Sequence, residues 1–186
     1  MHIDALLDQV YALPEKSRNR LKAHMKTRSF PKGHILMRAG QIEQNMYFIQ
    51  QGIARAYAEQ QGQDVTFWFG QEGDPILSMR SYVEGLPAYE QIELLEESIL
   101  YELPTSILEH LYHQDIEICN WGRKLAEKEL ISLERRLIHT QLQSGKQRYD
   151  ALMKSSPSII QRVPLKYISS YLGMTQVSLS RIRKEK

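Results

Sequence analysis

The spacing of apolar residues changes twice along this chain, and each change marks a new kind of element. Residues 3–10 and 14–25 read as two short helices, with Pro14 and Glu15 well placed at the opening of the second. From Phe30 the texture becomes extended. Short runs at 35–37, 46–50, 53–58, 65–69, 89–95 and 98–103 are rich in β-branched and aromatic residues, and glycines at 33, 40, 52, 62, 70, 73 and 85 punctuate them. That rhythm predicts an antiparallel sandwich or barrel. Within it, alternation along 64–69 puts Val65, Phe67 and Phe69 on one face of a half-buried strand. After Pro104 the period turns helical. Ile107, Leu108 and Leu111 form one patch, and a long helix runs from about Asp115 to Gln143.

The long helix carries Ile118, Trp121 and Leu125, then Leu130, Leu133 and Leu137, with an interruption near Lys128 and Glu129. A stripe of this length must be covered, either by the β core or by a partner helix in a parallel dimer. Leu130, Leu133 and Leu137 are the candidate dimer contacts. Ser144-Gly145 then breaks the helix and predicts a hinge.

The C-terminal run from Val163 to Lys186 has the pattern of a helix-turn-helix. Ile168 and Leu172 are four apart and Leu179 and Ile182 three apart, so each pair lies on one face of its helix and the two faces can close on each other. Pro164 fits the first turn of the leading helix, small Ser169 the crossing, Gly173 the positive-φ turn, and Thr175 the cap of the second helix. With Leu179 and Ile182 inward, Val177, Ser180, Arg181 and Lys184 face outward and Gln176 stands at the leading edge. Such a face suits a DNA major groove: Arg181 to a guanine, Gln176 to an adenine, Val177 to a thymine methyl. Thr175 and Ser178 complete the candidate DNA-binding set, while Arg183, Lys184 and Lys186 are placed for phosphates.

Charge sharpens this picture. The net charge is only +2, yet residues 144–186 hold nine Lys/Arg against two acids, and the rest of the chain holds fifteen against twenty. A basic end on an acidic body confines nucleic-acid contact to that end. No long apolar run or signal-like start occurs, which predicts a cytoplasmic protein with no membrane partner. The single Cys119 rules out an internal disulfide and any four-cysteine metal centre, and reads as a small buried hydrophobe.

The order of parts resembles the Crp/Fnr family of bacterial transcription regulators. The residues that carry the likeness are Phe30-Pro31-Lys32-Gly33-His34-Ile35-Leu36, Gly40 and Tyr47-Phe48-Ile49, then Leu172-Gly173-Met174-Thr175 and Leu179-Ser180-Arg181-Ile182. The resemblance implies an α+β chain in three parts. These are a β-roll sensor domain of jelly-roll type (1–114), a long dimerisation helix (115–143) and a helix-turn-helix domain (144–186). It also implies a homodimer on a two-fold-related site in double-stranded DNA, with RNA polymerase as a further partner. Some members bind cyclic AMP or cyclic GMP in the roll, with a Glu on the ribose and an Arg on the phosphate. Here Leu77-Ser78-Met79 and Ala88-Tyr89-Glu90 occupy those places, so both gripping residues are missing. Between Arg80 and Arg123 no Lys or Arg occurs, whereas nine acids do. A buried phosphate would lack its charge-assisted partner, so ordinary cyclic AMP binding is not expected. Ser78, Arg80, Tyr82 and Tyr89 are the candidate lining for whatever effector the roll takes, if any, including a cyclic nucleotide held in a non-standard way.

A small β-barrel can also house a cupin-type metal enzyme, which needs clustered His and carboxylates. The six histidines contain no H-x-H pair, and the close couple His110 and His113 falls in a helical stretch. No Gly-rich phosphate loop and no G-x-S-x-G motif occurs, so neither a catalytic nor a metal-ligating set is expected and the chain does not read as an enzyme. A third reading is a ligand-free scaffold that binds DNA constitutively.

Overall fold

The computed structural model describes residues 1–184. Two helices open the chain, α1 (Ile3–Val10) and α2 (Glu15–Lys22). Eight strands follow: β1 (Lys26–Phe30), β2 (Ile35–Met37), β3 (Asn45–Gln51), β4 (Ala54–Gln60), β5 (Gln63–Gly70), β6 (Pro75–Ile76), β7 (Gln91–Leu94) and β8 (Ser98–Pro104). They form two antiparallel sheets, ordered β1-β8-β3-β6 and β2-β7-β4-β5, which face each other as a roll. The extended region starts before Phe30. β1 is an edge strand that is mostly exposed, and its KTRSF sequence offers no apolar alternation by which to recognise it.

Alternation along β3 explains why its sequence reads as one continuous apolar run. Tyr47 and Ile49 point into the roll with Ile76, Leu94 and Leu100. Met46 and Phe48 point the other way, into a second core with Leu6, Leu7, Tyr101, Leu103 and Trp121. This strand is buried on both faces. The second core joins α1 and α2 to α3 (Thr105–Gln114) and to α4 (Ile116–Leu142), and the Trp121 indole donates to the Leu7 carbonyl at 3.0 Å.

The expectation that Val65, Phe67 and Phe69 share a face is corrected by a β-bulge. Ala56 pairs with Trp68 while the adjacent Tyr57 pairs with Thr66, so Phe67 is the extra residue. The alternation breaks there. Trp68 turns into the roll, Phe69 packs on Tyr171, and Val65 and Phe67 stay 39% and 37% exposed.

Four helices complete the chain: α5 (Gly145–Ser155), α6 (Pro157–Arg162), α7 (Leu165–Tyr171) and α8 (Gln176–Lys184). Gln143 and Ser144 separate α4 from α5, and the Ser144 hydroxyl and the Gln147 side chain cap each other's backbone reciprocally. No helix of the described residues is long and apolar enough to cross a membrane.

Candidate functional site

Leu179 of α8 is fully buried and shares a core with Ile168 of α7 and with Leu172 just after it, which sets α8 across the end of α7. Ser169 is buried, and Gly173 takes φ 63°, a conformation that a side chain would strain. Thr175 Oγ1 accepts from the Ser178 amide at 3.1 Å and meets the Ser178 hydroxyl at 2.9 Å. These two residues are therefore engaged with each other at the start of α8. Gln176, Val177, Arg181, Arg183 and Lys184 are exposed, and Ser180 is half-buried beside them. Lys186 lies outside the described residues. Pro164 stands just before α7 as its cap residue, one place ahead of the expected first turn, because the helical conformation begins at Leu165.

Not every basic residue of this end is available to an external anion. Arg148 donates to the carbonyls of Gln143 at 2.7 Å and Leu172 at 3.0 Å, joining the ends of α4 and α7. Arg162 holds Glu72 in a two-point grip at 2.8 and 3.0 Å and also pairs with Glu96. That contact holds the Glu72 carboxyl down at about 2 and raises the Arg162 guanidinium above its ordinary range. The sequence gives the charges of this end but not their partners.

The C-terminal helices dock on the outer face of the second sheet. Ile53 and Leu95 of the roll share a core with Tyr149, Leu152, Ile159 and Val163. Arg55 is only 2% exposed and its guanidinium reaches Glu93 at 2.9 Å and Asp64 at 3.0 Å. Ser170 accepts from the Thr66 amide at 2.9 Å and donates to the Asp64 carbonyl at 3.1 Å, so α7 satisfies backbone groups on the edge strand β5.

A cavity of about 570 Å³ lies between the roll and α4. Phe67, Trp68, Ile92, Leu125 and Leu133 are among its apolar walls, together with Tyr82, Tyr89, Tyr112, Glu90, Glu129 and Arg136. Of the four residues nominated from sequence, Tyr82 and Tyr89 line it. Ser78 and Arg80 do not. Ser78 is completely buried, and Arg80 belongs to a short π-helical turn where it pairs with Glu84 at 3.7 Å. Tyr82 and Tyr112 approach each other in the lining, and burial raises both phenols above their ordinary range. Gly122 leaves room for this, since a Cβ there would lie 2.2 Å from the Tyr112 oxygen. An isolated glycine inside a helix was the only sequence signal for that approach.

The long-helix stripe divides in two. Ile118, Trp121 and Leu125 are buried in the chain's own core, whereas Leu130, Leu133 and Leu137 are 66%, 56% and 56% exposed. Ile131, Ile138 and Leu142 are also exposed apolar residues of α4, outside the Leu130, Leu133 and Leu137 spacing. Leu130 and Leu133 border the cavity as well. His110 and His113 lie on α3, Cys119 is half-buried on α4, and the described residues contain no group of three or more His, Cys, Asp or Glu able to hold a metal.

Residues 27–115 match the model of the cyclic nucleotide-binding domain family. Among solved structures the chain is similar to FixK2 from Bradyrhizobium japonicum, with TM-score 0.73 and 17% identity over 87% of this chain and 83% of that one. It is similar to the c-di-GMP responsive global regulator CLP of Xanthomonas campestris, with TM-score 0.72 and 15% identity over 92% and 91%. The catabolite activator protein of Thermus thermophilus follows the same path with TM-score 0.59 and 17% identity over 97% and 85%. No curated protein sequence gives a significant match.

Proposed function

We propose that this chain, which carries the Crp/Fnr-like fold, is a DNA-binding transcription regulator that acts as a homodimer on a two-fold-related promoter site. The roll is its sensor, α4 its dimer helix and α8 its reading helix. The observation that supports this best is the outer face of α8, where Gln176, Val177, Arg181 and Lys184 are exposed while Leu179 anchors the helix beneath them. Arg181 forks onto a guanine edge, Gln176 onto an adenine, and Val177 meets a thymine methyl. Thr175 and Ser178, tied together at the start of α8, hold its first turn, and Ser180 lies beside the reading residues. RNA polymerase is the partner on the promoter, the protein works in the cytoplasm, and it catalyses no reaction.

Selection of bound sequences from random duplex DNA by the purified chain tests this. An inverted repeat with half-sites about 34 Å apart, bound by two copies, is the expected product. Recovery of unrelated sequences, held with equal affinity, would overturn it.

A second reading, a regulator that answers to a cyclic nucleotide, is favoured by the domain match over residues 27–115. It requires a grip unlike the family's, because Arg80 is paired with Glu84 outside the cavity lining.

A further inference from the structure

Among the residues lining the cavity between the roll and α4 is a buried acid, one oxygen of which is closed off without a partner, so that a small turn of its side chain would bring it to a donor in the cavity. That acid is Glu90, which is 6% exposed, and its Oε2 has no hydrogen-bond partner. A carboxylate oxygen kept from water without a partner is destabilised, so a donor is favoured there. Among the described residues, Arg136 is the one basic residue of the lining, and its Nη1 donates to the Phe67 carbonyl at 2.9 Å. Glu129 adds a second carboxylate. The walls are otherwise apolar and aromatic, with Trp68 and Tyr89 among them, and the volume lies within the ordinary range of small-molecule sites. Such a site repels a phosphate and offers a cation both a carboxylate and aromatic faces.

We propose that this cavity binds a small apolar amine, its ammonium donating to Glu90 and its hydrocarbon part packed against Trp68 and Phe67. The inference rests on the sensor reading only in making such an amine the effector; binding itself requires no DNA. The sequence pointed elsewhere, to the absent phosphate grip, because a carboxylate's lack of partners is a property of packing.

Calorimetric titration of the full chain with 4-phenylbutylamine, 4-phenylbutanol, 4-phenylbutyrate and cyclic AMP tests it. The amine should bind at least tenfold more tightly than the alcohol, and the butyrate and cyclic AMP more weakly than either. Glu90→Gln should bring amine and alcohol within about twofold of each other, the amine losing much more affinity than the alcohol, with the circular dichroism of the parent retained, an outcome that loss of folding cannot mimic. Ala126→Trp, which fills the cavity from α4, should abolish binding of both. Failure of the amine to bind, tighter binding of the butyrate or cyclic AMP, an amine preference that survives Glu90→Gln, or binding that survives Ala126→Trp would each overturn the proposal. DNA recognition would stand or fall by its own experiment.

Discussion

Arg55 and Tyr167 stack across the joint between the roll and the C-terminal helices, the guanidinium carbon 3.8 Å from the centroid of the ring. Tyr57 covers the opposite side of the same guanidinium at 3.9 Å. A flat, weakly hydrated cation suits this sandwich, and its edge remains free for Asp64 and Glu93.

Replacing Arg55 with Ala should therefore leave two carboxylates and two rings without their common partner. Loss of one member of a buried ion pair costs about 3–5 kcal/mol, and because Asp64 and Glu93 keep some contact with water the lower end is expected, about 3 kcal/mol. Arg55→Lys retains the charge but neither the fork nor the stacking and should fall between. Urea denaturation of the three proteins measures this, and a lysine variant as stable as the parent would show that charge alone is required.

The Arg162 clamp has a pH signature. Glu72 falls from its ordinary 4.5 to about 2 in the folded chain. A depressed carboxyl contributes stability that is complete above its unfolded value and is lost as pH falls through the folded one. The stability difference between the parent and Arg162→Ala should therefore be constant above about pH 5 and shrink steadily toward pH 2. Because these side chains are roughly one-third exposed, its size should be about 1 kcal/mol in low salt and smaller in high salt. Denaturation across pH and salt measures it; a difference that grows on acidification would contradict the pairing.

A dimer through α4 predicts that Leu130→Glu with Leu137→Glu yields a folded monomer. In one copy these side chains are already exposed, so the charges disturb no internal core, whereas in a helix seam they would be buried without partners. Light scattering should give twice the chain mass for the parent and once for the variant, with unchanged circular dichroism. A monomeric parent at micromolar concentration would remove the seam.

Arg181→Ala should weaken binding to the selected DNA by about 1–3 kcal/mol and to random DNA far less, whereas Lys184→Ala should weaken both alike and flatten the salt dependence. Fluorescence titration on both DNAs at several salt concentrations separates the two roles. Equal losses on both DNAs for the Arg181 variant would limit it to the phosphate backbone and leave base reading to Gln176, Val177 and Ser180.

The elements of this protein were legible wherever their cause is local. Helical spacing placed Leu179 on the buried face of α8, Gly173 marked the turn before it, and β-branched runs bounded by glycine marked most strands of the roll. Local reading failed at β1, whose sequence has no alternation, and at Phe67, where one extra residue reverses the order of faces. The candidate site was legible in part for the same reason: Gln176, Val177, Arg181 and Lys184 lie on the exposed side of α8, whereas Ser78 and Arg80 do not line the cavity. By itself the sequence determined which residues form helices and strands and which side of each is apolar, because those follow from backbone geometry over a few residues. Only the tertiary structure decided that half of the α4 stripe is covered by the chain's own core, that Arg162 meets Glu72 and Arg55 meets Tyr167, and that Glu90 has an oxygen with no partner. Those facts depend on which distant segments packing brings together, and no periodicity along the chain encodes them.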